Sequence, residues 1–234
     1  RSAAAAALSA LQQALDIATS EQDADAEPSW SRHDDQVLLN QGRASAMTGR
    51  ALATKVVPEL PGLSERLAQP GSQVLDVGTG VAALALALAE QLPATTVTGI
   101  DVLPRVLELA RTELAAADLD VASRITLRMQ DVAVLTETNT SDLIWLPVPF
   151  LSDEALTSAL PRLHDALRPG GWLIAGTNPA FPTVLRQAVA AWTANLNGGN
   201  FGLTDTVAEE LRSAGFSDGP RFPTVPGGPI RWSS

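Results

Sequence analysis

The sequence predicts an α/β fold built on a doubly wound, mostly parallel sheet, and three observations carry that prediction. Short apolar runs at Val74–Val77, Thr96–Ile100, Ile125–Met129 and Leu143–Leu146 have the length and composition of buried strands. Stretches with helical spacing of apolar residues lie between them. The first run passes directly into a glycine turn, Gly78-Thr79-Gly80, and from there into a long apolar segment. At 234 residues the chain suffices for one well-cored domain with an appended segment.

Residues 1–20 read as an Ala-rich helix with a loose stripe of Leu8, Leu11, Leu15 and Ile17. An acidic, unpatterned link from Glu21 to Glu27 ends at Pro28. A second helical stretch is expected from about Asp35 to Val57, stopping near Pro58 and the Pro61-Gly62 break. Val81 to Leu92 is apolar on most sides, as suits a helix lying against a sheet. Pro104 fits the first turn of the next helix, which shows Val106, Leu107, Ala110 and Leu114 on one face. A further helix starts after Ser152 with Asp153 and Glu154 at its positive end, and a fifth strand follows Gly171. Val184, Leu185, Ala188, Val189 and Trp192 mark another helix; Thr206 to Glu209 has capping-box spacing, with a stop at Gly215. The Pro- and Gly-rich stretch from Phe216 to Trp232 has room for two short strands.

Composition narrows the function. The chain has 45% apolar and 18% charged residues, which are globular values, and no cysteine, so disulfides, thiolate zinc sites and cysteine nucleophiles are excluded. Its longest unbroken apolar run, Val81 to Ala89, is too short to span a bilayer, and no secretory signal is visible. A cytoplasmic protein without membrane insertion is the expectation. The formal net charge of −10 repels phosphate backbones, which argues against nucleic acid as a partner.

The glycine turn lets the backbone approach a ligand closely, and the N–H groups of the following helix aim at the same place. Gly78, Gly80 and Ala83 fit a G-x-G-x-x-A spacing, and Asp101 ends the second strand 21 residues beyond Gly80, where a carboxylate can accept ribose hydroxyls. Both features suit a nicotinamide dinucleotide as well as S-adenosylmethionine. At Asp76-Val77-Gly78-Thr79-Gly80, at Gln130-Asp131-Val132 and at Leu167-Arg168-Pro169-Gly170-Gly171-Trp172-Leu173-Ile174, however, the chain closely resembles the class I S-adenosylmethionine-dependent methyltransferases over roughly residues 70–177.

The resemblance implies a Rossmann-like, seven-stranded sheet with an antiparallel C-terminal hairpin over residues 71–234, preceded by an N-terminal helical lid or dimerisation segment over residues 1–70. It implies S-adenosyl-L-methionine as cofactor and S-adenosyl-L-homocysteine as product. In this family the acid at Asp76 helps organise the loop that receives the methionine end, with Gly78, Thr79 and Gly80. Asp101 and Val102 serve the ribose, and Gln130, Asp131 and Val132 form the adenine clip. Ala82 stands where many members have a third glycine, a change expected to cost little inside a helix.

In-line methyl transfer needs positioning in a dry site more than a universal catalytic residue. The strand-four exit, Trp145-Leu146-Pro147-Val148-Pro149-Phe150, should border the transferred methyl, with Trp145 against the cofactor and Pro147 and Phe150 facing the acceptor. Leu146 cannot accept an amine hydrogen, so the run only faintly echoes the motif of amino-group methyltransferases. Trp30 and Trp192 are candidate walls of the acceptor pocket, and Phe181 and Phe201 are further candidates for the same role. Of the two histidines, His33 is either an exposed loop residue or a base flanked by carboxylates, and His164 is read as structural. Arg43 would reach the cofactor's carboxylate if the second N-terminal helix packs over the glycine loop. No metal site is expected, since the exit carries no Asp-Asn pair. The expected activity is methyl transfer to a small, largely apolar acceptor at oxygen, hydroxyl or carboxylate. The alternatives are methylation at nitrogen, an NAD-dependent oxidoreductase, which would want a Tyr-x-x-x-Lys pair that a chain without tyrosine lacks, or a non-catalytic cofactor-binding homologue. The N-terminal helices could pair two subunits as a homodimer or fold back on one.

Overall fold

The computed structural model describes residues 12, 30–178, 183–222 and 231–233. The acidic link, Phe181 and, apart from Gln12, the expected first helix lie outside the described residues. After a short 3₁₀ turn at Trp30–Arg32, helix α1 spans Asp35–Ala51 and α2 Leu63–Leu67. Strand β1 (Ser72–Val77) leads to α3 (Ala83–Gln91), β2 (Thr95–Asp101), α4 (Pro104–Ala115), α5 (Leu119–Ala122) and β3 (Ile125–Met129). Then come β4 (Ser141–Pro147), α6 (Asp153–Ala166), β5 (Leu167–Thr177), α7 (Val184–Leu196), α8 (Thr204–Ser213), β6 (Arg221–Phe222) and β7 (Arg231–Ser233).

The strands lie in the order β3-β2-β1-β4-β5-β7-β6, and every pairing among β1 to β5 is parallel. β7 runs antiparallel to both β5 and β6. The chain therefore winds outward from β1 in both directions, and the crevice between the carboxyl ends of β1 and β4 is where such a sheet binds ligands.

Both faces of the sheet are covered, which is why its strands read as continuous apolar runs. Val74, Leu143 and Trp145 pack with Leu84 and Leu88 of α3 and with Leu52 and Val56. Leu75, Val77, Ile144 and Leu146 pack on the other side with Leu156, Leu160 and Leu163 of α6 and Val207 and Leu211 of α8. At the amino end of the sheet Asp142, only 2% exposed, accepts from Arg66 Nη1 at 3.0 Å, Arg168 Nη1 at 2.7 Å and the Gln73 N–H at 2.9 Å. A buried carboxylate needs such partners.

Helix α1 crosses α3 closely because two glycines lie on one face of it. A Cβ on Gly42 would overlap the Val81 side chain, and one on Gly49 would sit 2.8 Å from the Leu84 carbonyl oxygen. Their spacing of seven residues brings both to the same side of the helix. Beyond Ala51 the helical path continues as a π turn, Leu52–Val56, so the expected stretch to Val57 is helical but changes type.

Several boundaries differ from expectation for identifiable reasons. Helix α3 starts at Ala83, and Ala82 precedes it in the left-handed region at φ 62°. Ala82 is therefore not a helical alanine; for a residue with a Cβ this conformation costs about 1–2 kcal/mol. Strand β5 begins at Leu167, not after Gly171, because Leu167 pairs with Ser141 and the Arg168-Pro169-Gly170-Gly171 turn stays within the strand. Thr206 is not a helix cap: α8 starts at Thr204, whose hydroxyl bonds the Asn178 carbonyl and the Thr177 side chain. Gly215, at φ 99°, ends that helical run as expected.

Candidate active site

A cavity of about 390 Å³ opens over the carboxyl ends of β1, β2 and β4, a size within the usual range for small-molecule sites. Its floor is the glycine turn. Gly78 and Gly80 have φ of 62° and 57°, so both use the left-handed region. The Thr79 N–H bonds the Ile100 carbonyl at 3.0 Å, and the missing side chain of Gly99 leaves room for the Thr79 side chain. Thr79 Oγ1 in turn donates to Asp76 Oδ2 at 2.7 Å. Helix α1 lies over this turn and adds Gln41, Ser45 and Thr48 to the wall.

Asp76, Asp101 and Asp131 all line this one cavity. Asp101 accepts from the N–H groups of Gly80 and Leu103, each at 3.0 Å, so its carboxylate ties the glycine turn to the second strand end. Asp131 caps the 3₁₀ turn Val132–Val134 through the Ala133 N–H at 2.8 Å, and the Gln130 N–H bonds the Asp101 carbonyl. Asp76 is 1% exposed with no cation beside it among the described residues; burial first, and then the neighbouring Asp101, push its carboxyl up to about 7 against the Thr79 hydrogen bond. Burial also raises Asp101, opposed by its backbone N–H donors. Among the described residues these three acids are the only ionisable side chains lining the cavity.

The far wall is apolar and aromatic. Trp145, Pro147, Phe150, Leu151, Leu38 and Trp30 line it, and the Trp30 and Phe150 rings stack with centroids 5.5 Å apart. The strand-four exit is held by Asn200, whose Nδ2 donates to the Val148 and Leu151 carbonyls at 3.1 and 2.8 Å.

The cavity thus brings together Asp76, Gly78, Thr79, Gly80, Asp101, Val102, Gln130, Asp131, Val132, Trp145, Pro147, Phe150 and Trp30. Three expectations need correction. Arg43 makes a two-pronged pair with Glu113 on α4, at 2.9 and 2.7 Å, and does not line the cavity. Trp192 is 47% exposed on α7 and does not line the cavity. His33 is neither an exposed loop residue nor a cavity wall: it is 9% exposed, its Nε2 is 2.7 Å from Asn197 Oδ1, and Asn197 is the residue that faces the cavity. His164 lies half-exposed on α6, edge-on to Phe216, away from the site.

Sequence reasoning missed Gln41, Ser45 and Thr48, although their spacing of four and three residues is a polar stripe on one face of α1. It also missed Asn197 and Asn200, for which no local pattern exists. Among the described residues no group of three or more acids and histidines is placed to hold a metal ion, and no helix is long and apolar enough to cross a membrane.

Residues 74–171 match the family model described as a methyltransferase domain. This segment is a class I, S-adenosylmethionine-dependent type of methyltransferase domain. The chain is 37% identical over 121 residues to a release factor glutamine methyltransferase of Cereibacter sphaeroides, a match covering 49% of this chain and 42% of the relative. It spans about half the length of the curated relatives it matches. Among solved structures, an O-methyltransferase family protein of Burkholderia thailandensis superposes with a TM-score of 0.72 at 17% identity, over 99% of this chain and 70% of that one. The mitomycin 7-O-methyltransferase MmcR gives 0.70 at 20% identity, over 96% and 66%. At these identities the two structures bear on the fold of the methyltransferase domain.

Proposed function

We propose that the protein transfers a methyl group from S-adenosylmethionine to the oxygen of a small, largely apolar acceptor and releases S-adenosylhomocysteine. The observation that carries this reading is the cavity that Asp76, Asp101 and Asp131 line together with an aromatic wall and, among the described residues, with no cationic side chain. When bound, the cofactor supplies a sulfonium-activated methyl and carries positive charge that Asp76, buried without a cation, is suited to receive. Asp101 accepts the ribose hydroxyls. Asp131 and the Val132 N–H hold the adenine edge, while Gln41, Ser45 and Thr48 offer donors and acceptors to the amino-acid end. Trp145, Pro147, Phe150 and Trp30 exclude water and hold the acceptor in line, the positioning that accounts for about 7–11 kcal/mol of barrier in favourable systems. The segment that begins at Trp30 serves as the cover of the acceptor side.

Oxygen is favoured over nitrogen because Leu146 is fully buried and offers no acceptor for an amine hydrogen. Two structural neighbours are named O-methyltransferases. Calorimetry with S-adenosylhomocysteine and with NADH tests the cofactor. We expect S-adenosylhomocysteine to bind and NADH not to; binding of NADH alone would overturn the reading. Release of S-adenosylhomocysteine across alcohols, phenols, carboxylic acids and amines then tests the acceptor atom.

A further inference from the structure

We infer that Asn197 is the polar contact for the methyl acceptor, that His33 fixes from behind which part of that amide is presented, and that the site selects an uncharged acceptor. The inference rests on the methyl-transfer reading above and concerns the half of the cavity that the cofactor does not fill.

Asn197 follows the last residue of α7 and lines the cavity beside Gly198. An amide oxygen only accepts, so the 2.7 Å contact from His33 Nε2 to Asn197 Oδ1 puts a proton on Nε2 and turns the Nδ2 donor away from the imidazole. The two residues are 164 positions apart, and the contact joins the N-terminal segment to the end of α7. His33 itself is fixed from several sides. Its ring lies 5.3 Å from that of Trp30, and its carbonyl accepts from Arg105 Nη1 at 2.9 Å. Arg105 also holds Asp35, and Asp34 caps α1 through the Val37 N–H. A side chain held this firmly behind a cavity wall orients the group in front of it. His33 is on this view a positioning residue and Asn197 the one that touches the acceptor.

Two further observations set the chemistry of what is touched. Trp30 lines the cavity, and its buried indole N–H has no hydrogen-bond partner among the described residues, a donor that an oxygen of the ligand can satisfy once the ring shifts. The ionisable groups that line the cavity, among the described residues, are all carboxyls. With the neutral-sulfur product bound, a carboxylate or phosphate would be desolvated among like charges with no cationic side chain lining the cavity to meet it, whereas a hydroxyl would not. Of the two oxygen acceptors first considered, the carboxylate is the one this disfavours.

The test uses protein saturated with S-adenosylhomocysteine and two probes of one skeleton, 2-naphthol and 2-naphthoate, titrated at neutral pH by calorimetry. We expect 2-naphthol to bind at least about tenfold more tightly than 2-naphthoate. Asn197→Leu and His33→Ala should each weaken 2-naphthol by about fivefold or more while 2-naphthol stays the tighter probe, with S-adenosylhomocysteine affinity unchanged as the check on folding. His33→Gln, whose amide can donate to the same Asn197 oxygen, should restore most of the loss, which a merely structural role for the imidazole would not produce. Asn197→Asp, nearly the same shape, should widen the discrimination against 2-naphthoate. Equal binding of the two probes, wild-type affinity for 2-naphthol in Asn197→Leu or His33→Ala, or no binding of either probe would overturn the inference. Failure of the wild-type protein to bind S-adenosylhomocysteine would instead overturn the methyl-transfer reading.

Discussion

Asp76 and Asp142 are equally buried acids at opposite ends of the same sheet, and the protein treats them in opposite ways. Asp142, at the amino end, is gripped by two arginines and a backbone N–H. Asp76, at the carboxyl end, has a threonine hydroxyl and a neighbouring acid, and its carboxyl is pushed up to about 7. Where a buried charge is meant only to hold the fold, its partners are supplied by the chain itself. Where it lines a cavity with no cation beside it among the described residues, we propose that the missing partner is the ligand. The contrast is a more direct pointer to a cationic cofactor than either residue alone.

Breaking the closed end should have the largest effect. Asp142→Ala strands two guanidinium groups, and since each is about one-third exposed we expect a loss of about 2–4 kcal/mol of stability, read as a lower denaturation midpoint. Cofactor affinity per folded molecule should hardly change, because Asp142 is remote from the cavity. At the open end the pattern should invert: Asp101→Ala should weaken S-adenosylhomocysteine binding by about 1–3 kcal/mol in calorimetry while costing less stability than Asp142→Ala.

The comparison sharpens with pH. A raised carboxyl pKa means that the folded, ligand-free protein holds a proton that the unfolded chain has released. Stability of the empty protein should therefore fall as pH rises from about 3.8 to about 7, and Asp76→Asn should flatten that slope in thermal melts. Binding of the cationic cofactor should strengthen over the same interval, since it requires ionised Asp76, and the neutral-sulfur product should respond less. The smallest effect belongs to Arg43→Ala. Its partner is Glu113 at the surface, so we expect under about 0.5 kcal/mol in stability and no change in cofactor affinity.

The half of the cavity made by strand ends was legible in the sequence because it is built from consecutive residues. Asp76 to Gly80, Asp101-Val102 and Gln130 to Val132 each carry their geometry in a few positions: an apolar run, a glycine where φ must be positive, an acid just past a strand. The other half is built from residues far apart in the chain, and no local spacing encodes it. His33 meets Asn197 across 164 positions, and Asn200 pins a loop some fifty residues earlier. Arg43 was misread because its helix does pack over the glycine turn, as expected, while its side chain faces α4. Trp192 was misread because an apolar stripe tells which face of a helix is greasy and not what lies against it. Ala82 shows the limit at a single residue: the apolar run and the family resemblance suggested a helical alanine, while the turn demanded a left-handed one.

Gly42 and Gly49 carry a practical consequence for anyone handling this protein. Because α1 sits so close on Val81 and Leu84, the segment ahead of β1 is a structural wall of the glycine turn. Trimming the chain to its most family-like portion, near residue 70, would bare Leu84 and Leu88 to water and unseat the loop they steady. Anyone seeking a minimal binding unit should keep everything from Trp30 onward.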